Sequence, residues 1–145
     1  MPQSVTLLRF LRVVSVLVLA AGCGSGSESP VAPTSPLAAV TGQVTYLQRI
    51  ALPPTAVVEI SLSDVSRADA PAVVIASQRI EAQGRQVPFA FTLSYDPGRI
   101  DSRFTYAVSA RITDAGRLLF VSTRRHAVIT GGNPQTGVEI VVDPV

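Results

Sequence analysis

Apolar and polar residues alternate one by one along much of this chain after about residue 38. In residues 87–95, aromatic and aliphatic side chains take every second position, with proline, alanine or small polar residues between them. The same period of two recurs in four other segments, 40–46, 56–63, 104–112 and 138–142. Because alternate side chains of a strand point to opposite faces, these segments are predicted to be strands buried on one face.

The parity of the alternation also predicts which side chains form the core. It places Phe89, Phe91, Tyr106 and Val108 on the buried faces of their strands, and it places Thr92 on an exposed face. A shift of one residue would exchange the two faces, so burial of these side chains tests the register directly.

Turn-forming residues separate the alternating segments. Asp96-Pro97-Gly98 is a predicted turn, because Asp favours the first turn position and Pro the second. Asp114-Ala115-Gly116 is predicted to be a three-residue hairpin loop with Gly116 in the left-handed region. Weaker strand patterns occupy 72–80, 117–122 and 126–130. Together the segments predict an all-β fold, an antiparallel β-sandwich of the Ig-like kind with seven or eight short strands.

The N-terminus has the order of a secretory signal. Arg9 and Arg12 precede an apolar run, and Gly22 and Cys23 close it with small residues. The run is too short to span a bilayer, which needs about 20 apolar residues. Residues 19–23, Leu-Ala-Ala-Gly-Cys, resemble a bacterial lipobox, in which the cysteine is lipidated and becomes the first residue of the mature protein. The sequence therefore predicts a lipoprotein signal peptide at 1–22 and acylation, including palmitate, at Cys23; the alternative is a plain secretory signal.

A Gly-, Ser- and Pro-rich segment follows the cysteine. Residues 23–37 contain too few apolar side chains to offset their ordering entropy, and they are predicted to be a disordered linker. Residues 38–145 are then one periplasmic domain, long enough to build its own core. Gly24 is not Asp, so by the sorting rule of enteric lipoproteins we expect the outer membrane, with the domain facing the periplasm.

Removing the signal changes the charge of the chain. Two of its 12 basic residues, Arg9 and Arg12, leave with the signal, while all 10 acidic residues follow Cys23. A neutral mature chain gives no basic surface for nucleic acid, which would need to neutralise phosphates. Once the single cysteine is acylated, the chain has no thiol for a disulfide, a nucleophile or a metal.

The residues available for catalysis are few. Asp64 and Asp69 are two carboxylates in one predicted loop, where they could do acid–base work or bind a hard cation, or simply cap nearby N–H groups. The only histidine, His126, follows two arginines and is predicted to be a solvated side chain at a strand edge. We therefore expect no catalytic residue, no metal and no cofactor.

Pro88 marks a different kind of candidate surface. Proline has no N–H to give to a sheet, so its place in a strong strand pattern predicts an edge strand or a bulge. An edge at Pro88 and the outward-facing Ala90 is a candidate binding site for a partner strand or helix. The alternative is an edge that the proline merely protects.

Several runs together resemble the YbaY/YscW family of bacterial lipoproteins. They are 50–58, 64–71, 91–97, 106–112 and 116–120, and they extend over nearly the whole domain. The YscW-like branch includes pilotins of type III secretion, lipoproteins that bind a secretin subunit and escort it to the outer membrane. The 51–54 and 64–71 runs look closer to the YbaY-like branch, which has no settled biochemical role, and the resemblance implies no catalytic residues.

The function predicted from these features is a non-enzymatic binding or chaperone module, tethered to the bacterial envelope through Cys23. Its expected partner is an envelope protein or a secretin-like protein. Two alternatives stay open: an enzyme that acts on envelope glycans through carboxylates such as Asp64 and Asp69, and a structural lipoprotein without a single partner. The sequence leaves the oligomeric state open.

Overall fold

The computed structural model of the protein describes residues 36–145. The predicted signal peptide, Cys23 and the linker up to residue 35 lie outside these residues. The described part of the chain forms the following strands: β1 (Ala38–Thr45), β2 (Val57–Asp64), β3 (Val73–Glu81), β4 (Phe89–Tyr95), β5 (Tyr106–Asp114), β6 (Arg117–Val121), β7 (His126–Val128), β8 (Val138–Val141) and β9 (Asp143–Pro144). No helix within residues 36–145 is long and apolar enough to cross a membrane.

The strands form two sheets that share one core, so the predicted all-β sandwich is confirmed. The smaller sheet has the order β4-β1-β8, and the larger sheet runs β3-β2-β5-β6-β9. Strand β7 pairs with the first residues of β5, while β6 pairs with its last residues, so both use the edge of β5 that faces away from β2. Buried side chains from both sheets make up a single apolar cluster between them.

The predicted parity of the strands is confirmed by burial. In β4 every odd-numbered residue is buried and every even-numbered residue is exposed. Phe89, Phe91, Tyr106 and Val108 are each no more than 3% exposed. Phe104 differs from the pattern and is 42% exposed. The reason is local: β5 begins only at Tyr106, and the Phe104 N–H donates to the Asp101 carbonyl in a turn that precedes the strand.

One strand pair departs from the antiparallel expectation. β1 and β8 run parallel, with Gly42 opposite Val138 and Val44 opposite Ile140. The backbones approach closely at Gly42, where an added Cβ would stand 2.0 Å from the Val138 carbonyl oxygen. Only glycine leaves room for this approach, because it has no Cβ.

The turn between β5 and β6 also differs from the prediction. Strand β5 extends to Asp114 and β6 begins at Arg117, so the loop has two residues rather than three. Both Ala115 and Gly116 have positive φ, 47° and 80°. Two left-handed residues form the hairpin turn whose twist matches the right-handed twist of the strands. The Asp96 turn is as expected: its carboxylate accepts the Gly98 N–H at 2.8 Å and caps a short 3₁₀ helix, Pro97–Arg99.

Candidate functional site: a charged groove on the six-stranded sheet

An open groove of about 500 Å³ lies on the outer face of the six-stranded sheet. Strands β3, β2 and β5 form its floor, and Val74 and Val121 are apolar residues that line it. The floor consists of the outward-pointing positions of these strands, because the alternate positions fill the core. Its volume lies in the range of about 300–1,000 Å³ that is usual for ligand pockets, although this groove is open.

Three charged side chains cross the groove in one row. The strand registers place Glu59 of β2 between Arg79 of β3 and Arg111 of β5. The Glu59 carboxylate accepts a hydrogen bond from Arg111 Nε at 2.5 Å and one from Arg79 Nη1 at 3.4 Å. Exposed ion pairs of this kind contribute only about 0.2–1 kcal/mol to stability. The row therefore adds little to folding and leaves a surface with two guanidiniums and one carboxylate.

A row of serines lies beside the charged row. Ser77, Ser61 and Ser109 occupy the next outward positions of the same three strands. The hydroxyls of Ser61 and Ser109 are 2.9 Å apart, so one donates to the other. Three small side chains in line leave the sheet surface low at this point, which allows a bound chain to approach closely.

A second cavity of about 380 Å³ lies at the end of the sandwich where β4 stops. Its lining includes Tyr95, Pro97, Ile100 and Ile129, and its lining residues carry no charged side chain. Ile129 has a φ of 70°, which is strained for a β-branched residue. The Thr130 N–H donates to the Val128 carbonyl at 2.8 Å across Ile129, and the Thr130 hydroxyl donates to the Phe104 carbonyl at 2.7 Å.

Neither of the two candidate carboxylates lines the groove. Asp64 ends β2, and Asp69 is exposed in the loop that follows. The Asp64 carboxylate accepts hydrogen bonds from the hydroxyl and the N–H of Ser66, and these bonds hold the pKa of Asp64 below its ordinary value. Ser66 in turn accepts the Thr105 N–H at 2.9 Å. These hydrogen bonds connect the loop after β2 to the residue before β5. The Asp64 side chain therefore has a structural role, which is to fix the conformation of this loop.

Pro88 and Ala90 lie on the other sheet. β4 is an edge strand, as the proline predicts, and Pro88 precedes its first residue. Ala90 is exposed and points away from the core. The free edge of β4 faces β3, where the side chain of Gln78 accepts the Thr92 N–H at 2.8 Å. The backbone edge is thus partly satisfied by a side chain, while the exposed face around Ala90 stays open to solvent.

His126 is not the solvated side chain that the sequence predicts. It lies at a strand edge, but its register partner is the buried Val108, so its side chain points toward the core. The side chain is half-buried, and Nε2 is buried without a hydrogen-bond partner within residues 36–145. Burial, and then the nearby charge of Arg124, lower the pKa of His126.

This burial predicts a pH dependence of stability. The folded state resists protonation of His126 while the unfolded state accepts a proton near pH 6.5, so unfolding takes up a proton. The stabilisation is complete above that pH and is lost as the pH falls through 6.5 toward the lowered folded value. We expect urea unfolding midpoints of the wild type to fall between pH 7.5 and 5.5, and to fall less in His126→Gln. An equal fall of the unfolding midpoint in the two proteins would contradict the burial of His126 as the cause of the pH dependence.

Sequence reasoning missed the groove because no single segment contains it. Glu59 and Arg111 are single charges between apolar neighbours, and Arg79 lies between Gln78 and Ile80, so each resembles an ordinary exposed strand position. Their alignment depends on the pairing order β3-β2-β5 and on the register of each pair. The one available signal is that all three are outward positions of predicted strands.

Comparisons with known proteins find similarity to lipoproteins and to a pilotin. Residues 35–140 match the family model described as "Type III secretion system lipoprotein chaperone (YscW)". A lipoprotein of Escherichia coli K12, YbaY, described as uncharacterized, is 37% identical over 102 residues; the match covers 70% of this chain and 54% of that protein. The chain thus spans about half the length of this curated relative. The structure of an alternative pilotin from the type II secretion system of Vibrio cholerae has a TM-score of 0.70 and 41% identity, and the match covers 76% of this chain and all of that one.

Proposed function

The chain belongs to the YscW family of type III secretion system lipoprotein chaperones, and from this premise we propose that it binds a secretin-like envelope protein through the groove on its six-stranded sheet. In this proposal it is a non-enzymatic pilotin-like lipoprotein, anchored through Cys23 in the outer membrane and facing the periplasm. The observation that carries the proposal is an open groove of about 500 Å³ on a domain similar to a solved pilotin.

The chemistry of the groove supports binding of a polypeptide segment. The groove is open and its floor carries small serine side chains, so a helix or an extended strand can lie along it. The apolar side chains of Val74 and Val121 offer contact for apolar partner residues, and the charged row offers polar contacts. Peptide-recognition sites commonly combine such an apolar surface with a few polar anchors.

The carboxylates support binding better than glycan hydrolysis. Glycosidases pair two carboxyl groups, one of which keeps a raised pKa so that it can donate a proton. Hydrogen bonds from Ser66 lower the pKa of Asp64 instead, which favours a permanently ionised side chain. Asp101 is similar, since hydrogen bonds from the side chain and the N–H of Arg103 lower its pKa to about 2. We therefore assign no proton-donor role to Asp64 or to Asp101.

The proposed anchor gives a direct prediction for Cys23. A single acyl chain holds a protein only marginally, whereas two or more anchor it stably. We expect Cys23→Ser to move most of the protein from the membrane to the soluble periplasmic fraction, and to abolish incorporation of labelled palmitate. Membrane fractionation and palmitate labelling of both proteins test this. A Cys23→Ser protein that remains with the membrane and still takes up label would refute acylation at this residue.

Capture of a secretin tests the binding proposal. We expect the tagged full-length lipoprotein to retain the secretin subunit of its own bacterium from detergent extract. Ser109→Trp should fill the groove and abolish most of this capture. Ala90→Trp makes the same change at an exposed small residue of the opposite sheet, and it should leave capture intact. Circular dichroism of both variants confirms that they fold.

The same two variants also test the second candidate binding surface, the exposed face of β4 around Ala90. Loss of capture in Ala90→Trp with full capture in Ser109→Trp would assign the partner to the face beside Pro88. Failure of the wild type to retain the secretin would contradict the proposed function itself.

A further inference from the structure

We propose that the groove selects partner segments that carry a carboxylate, which Arg79 and Arg111 bind on either side of Glu59. The inference deepens the proposed function, because it rests on a polypeptide segment lying in the groove, and it names the chemistry that this segment must have. It follows from how the charged row is exposed, from its unused donors and from its net charge.

The two arginine side chains are more exposed to solvent than the glutamate side chain between them. The side chains of Arg79 and Arg111 are 62% and 61% exposed, whereas that of Glu59 is 29% exposed. A chain that enters the groove therefore meets guanidinium groups first. The carboxylate below them holds the two arginines toward each other across the width of β2.

Within residues 36–145, most hydrogen-bond donors of the two guanidiniums have no protein partner. An arginine has five N–H donors in a planar fork that suits a carboxylate. Among the described residues, Arg79 uses Nη1 for its bond to Glu59, and Arg111 uses Nε. The remaining donors of Arg111 lie on its two terminal nitrogens, which is the paired arrangement that receives both oxygens of a carboxylate.

The charge of the row favours an acidic ligand over a basic one. Two guanidiniums and one carboxylate give a net charge of +1 at the groove. On the side of Arg79 away from Ser77, the next outward position along β3 is Glu81, which does not line the groove. Beside the row, the serines permit a close approach of the partner backbone, so an acidic side chain can reach the arginines without lifting its chain off the sheet.

Glu59 has a double role in this arrangement, and the two parts can be separated. It orients the arginines, yet it also competes with the incoming carboxylate for them. If ligand binding is the main use of the row, neutralising Glu59 raises the affinity for an acidic segment. If the row only stabilises the sheet, neutralising Glu59 brings no gain in binding.

Selection from a peptide library tests the inference without a secretin. The full-length lipoprotein in detergent is panned, at about 0.05 M salt, against random 15-residue peptides displayed on phage. We expect the selected peptides to be enriched in Asp and Glu. Their affinity should fall by about two- to fivefold in Arg79→Gln and in Arg111→Gln, which corresponds to the upper part of the range for loss of one exposed charge pair. It should rise in Glu59→Gln and fall at high salt.

Glu81→Gln is the matched control, because it makes the same charge change on the same face outside the groove. We expect it to alter affinity by less than about twofold, and thermal midpoints confirm that every variant is folded. The inference is overturned if the library gives no binder that depends on Arg79 and Arg111, if the binders lack acidic residues, or if Glu59→Gln weakens them. Because no secretin is used, failure of this test and failure of the proposed function are separate results.

Discussion

Replacing Phe91 with alanine should lower the free energy of unfolding by about 3–5 kcal/mol, as truncation of a packed aromatic side chain does. Phe91 is 3% exposed and lies in the middle of β4, opposite Gly42 of β1. Its ring covers the side of Gly42 that has no side chain of its own, since an added Cβ there would meet Phe91 Cζ at 2.9 Å. The neighbouring strands cannot close the resulting gap without losing their pairing.

Thr92→Ala is the matched control for this change. Thr92 is exposed, and its N–H, which a substitution to alanine keeps, makes the bond to Gln78. We expect a cost below about 0.5 kcal/mol, which is usual for surface substitutions. Urea unfolding of both variants measures the difference. Equal costs would mean that the described register of β4 is wrong.

A methyl group at Gly42 should be nearly as damaging as the loss of the Phe91 ring. The Cβ of Gly42→Ala would stand 2.0 Å from the Val138 carbonyl oxygen, which is backbone and cannot turn aside. To make room, β8 must move away from β1, and the parallel hydrogen bonds between them must lengthen. Overpacking typically costs about 1–3 kcal/mol; with backbone on the receiving side, we expect at least the upper end.

Gly98→Ala provides the control for Gly42→Ala. At Gly98 an added Cβ meets only the Asp96 side chain, at 3.2 Å. We expect this change to cost less than about 1 kcal/mol. Hydrogen exchange of the β8 amides distinguishes the two variants further, since only Gly42→Ala should speed it. Slow β8 exchange and near-native stability in Gly42→Ala would contradict the close approach of β1 and β8.

The strands of this fold could be predicted because each is a local pattern. The alternation in residues 87–95 identifies both β4 and its buried face, and Asp96 with Pro97 identifies the turn that ends it. The alternation continues beyond the N-terminal end of β5, and there it predicts burial incorrectly, as at Phe104. The exposure of Phe104 depends on where β5 begins to pair with β2. Local alternation cannot indicate that point, because it is fixed by contacts with a distant segment.

Which strands pair with each other could not be predicted from the sequence for the same reason. Gly42 gives no sign in the sequence that a parallel strand approaches it, and the last strands are short enough to fit several arrangements. The groove depends on pairing even more strongly, because Glu59, Arg79 and Arg111 come from three strands. Asp64 and Asp69 could be proposed as a site because they are close in the sequence. The charged row could not, because its residues come together only through the pairing of the strands.

The central claim is that a secretin-like partner lies in the groove, and site-specific photocrosslinking in living cells tests it most directly. A photoreactive phenylalanine analogue is placed at Ser109 in the groove and, in a second strain, at Ala90 on the opposite sheet. The account predicts that irradiation crosslinks the secretin to position 109 and leaves position 90 without a crosslink. Crosslinks from position 90 and none from position 109, with both proteins folded and present in the membrane, would contradict it.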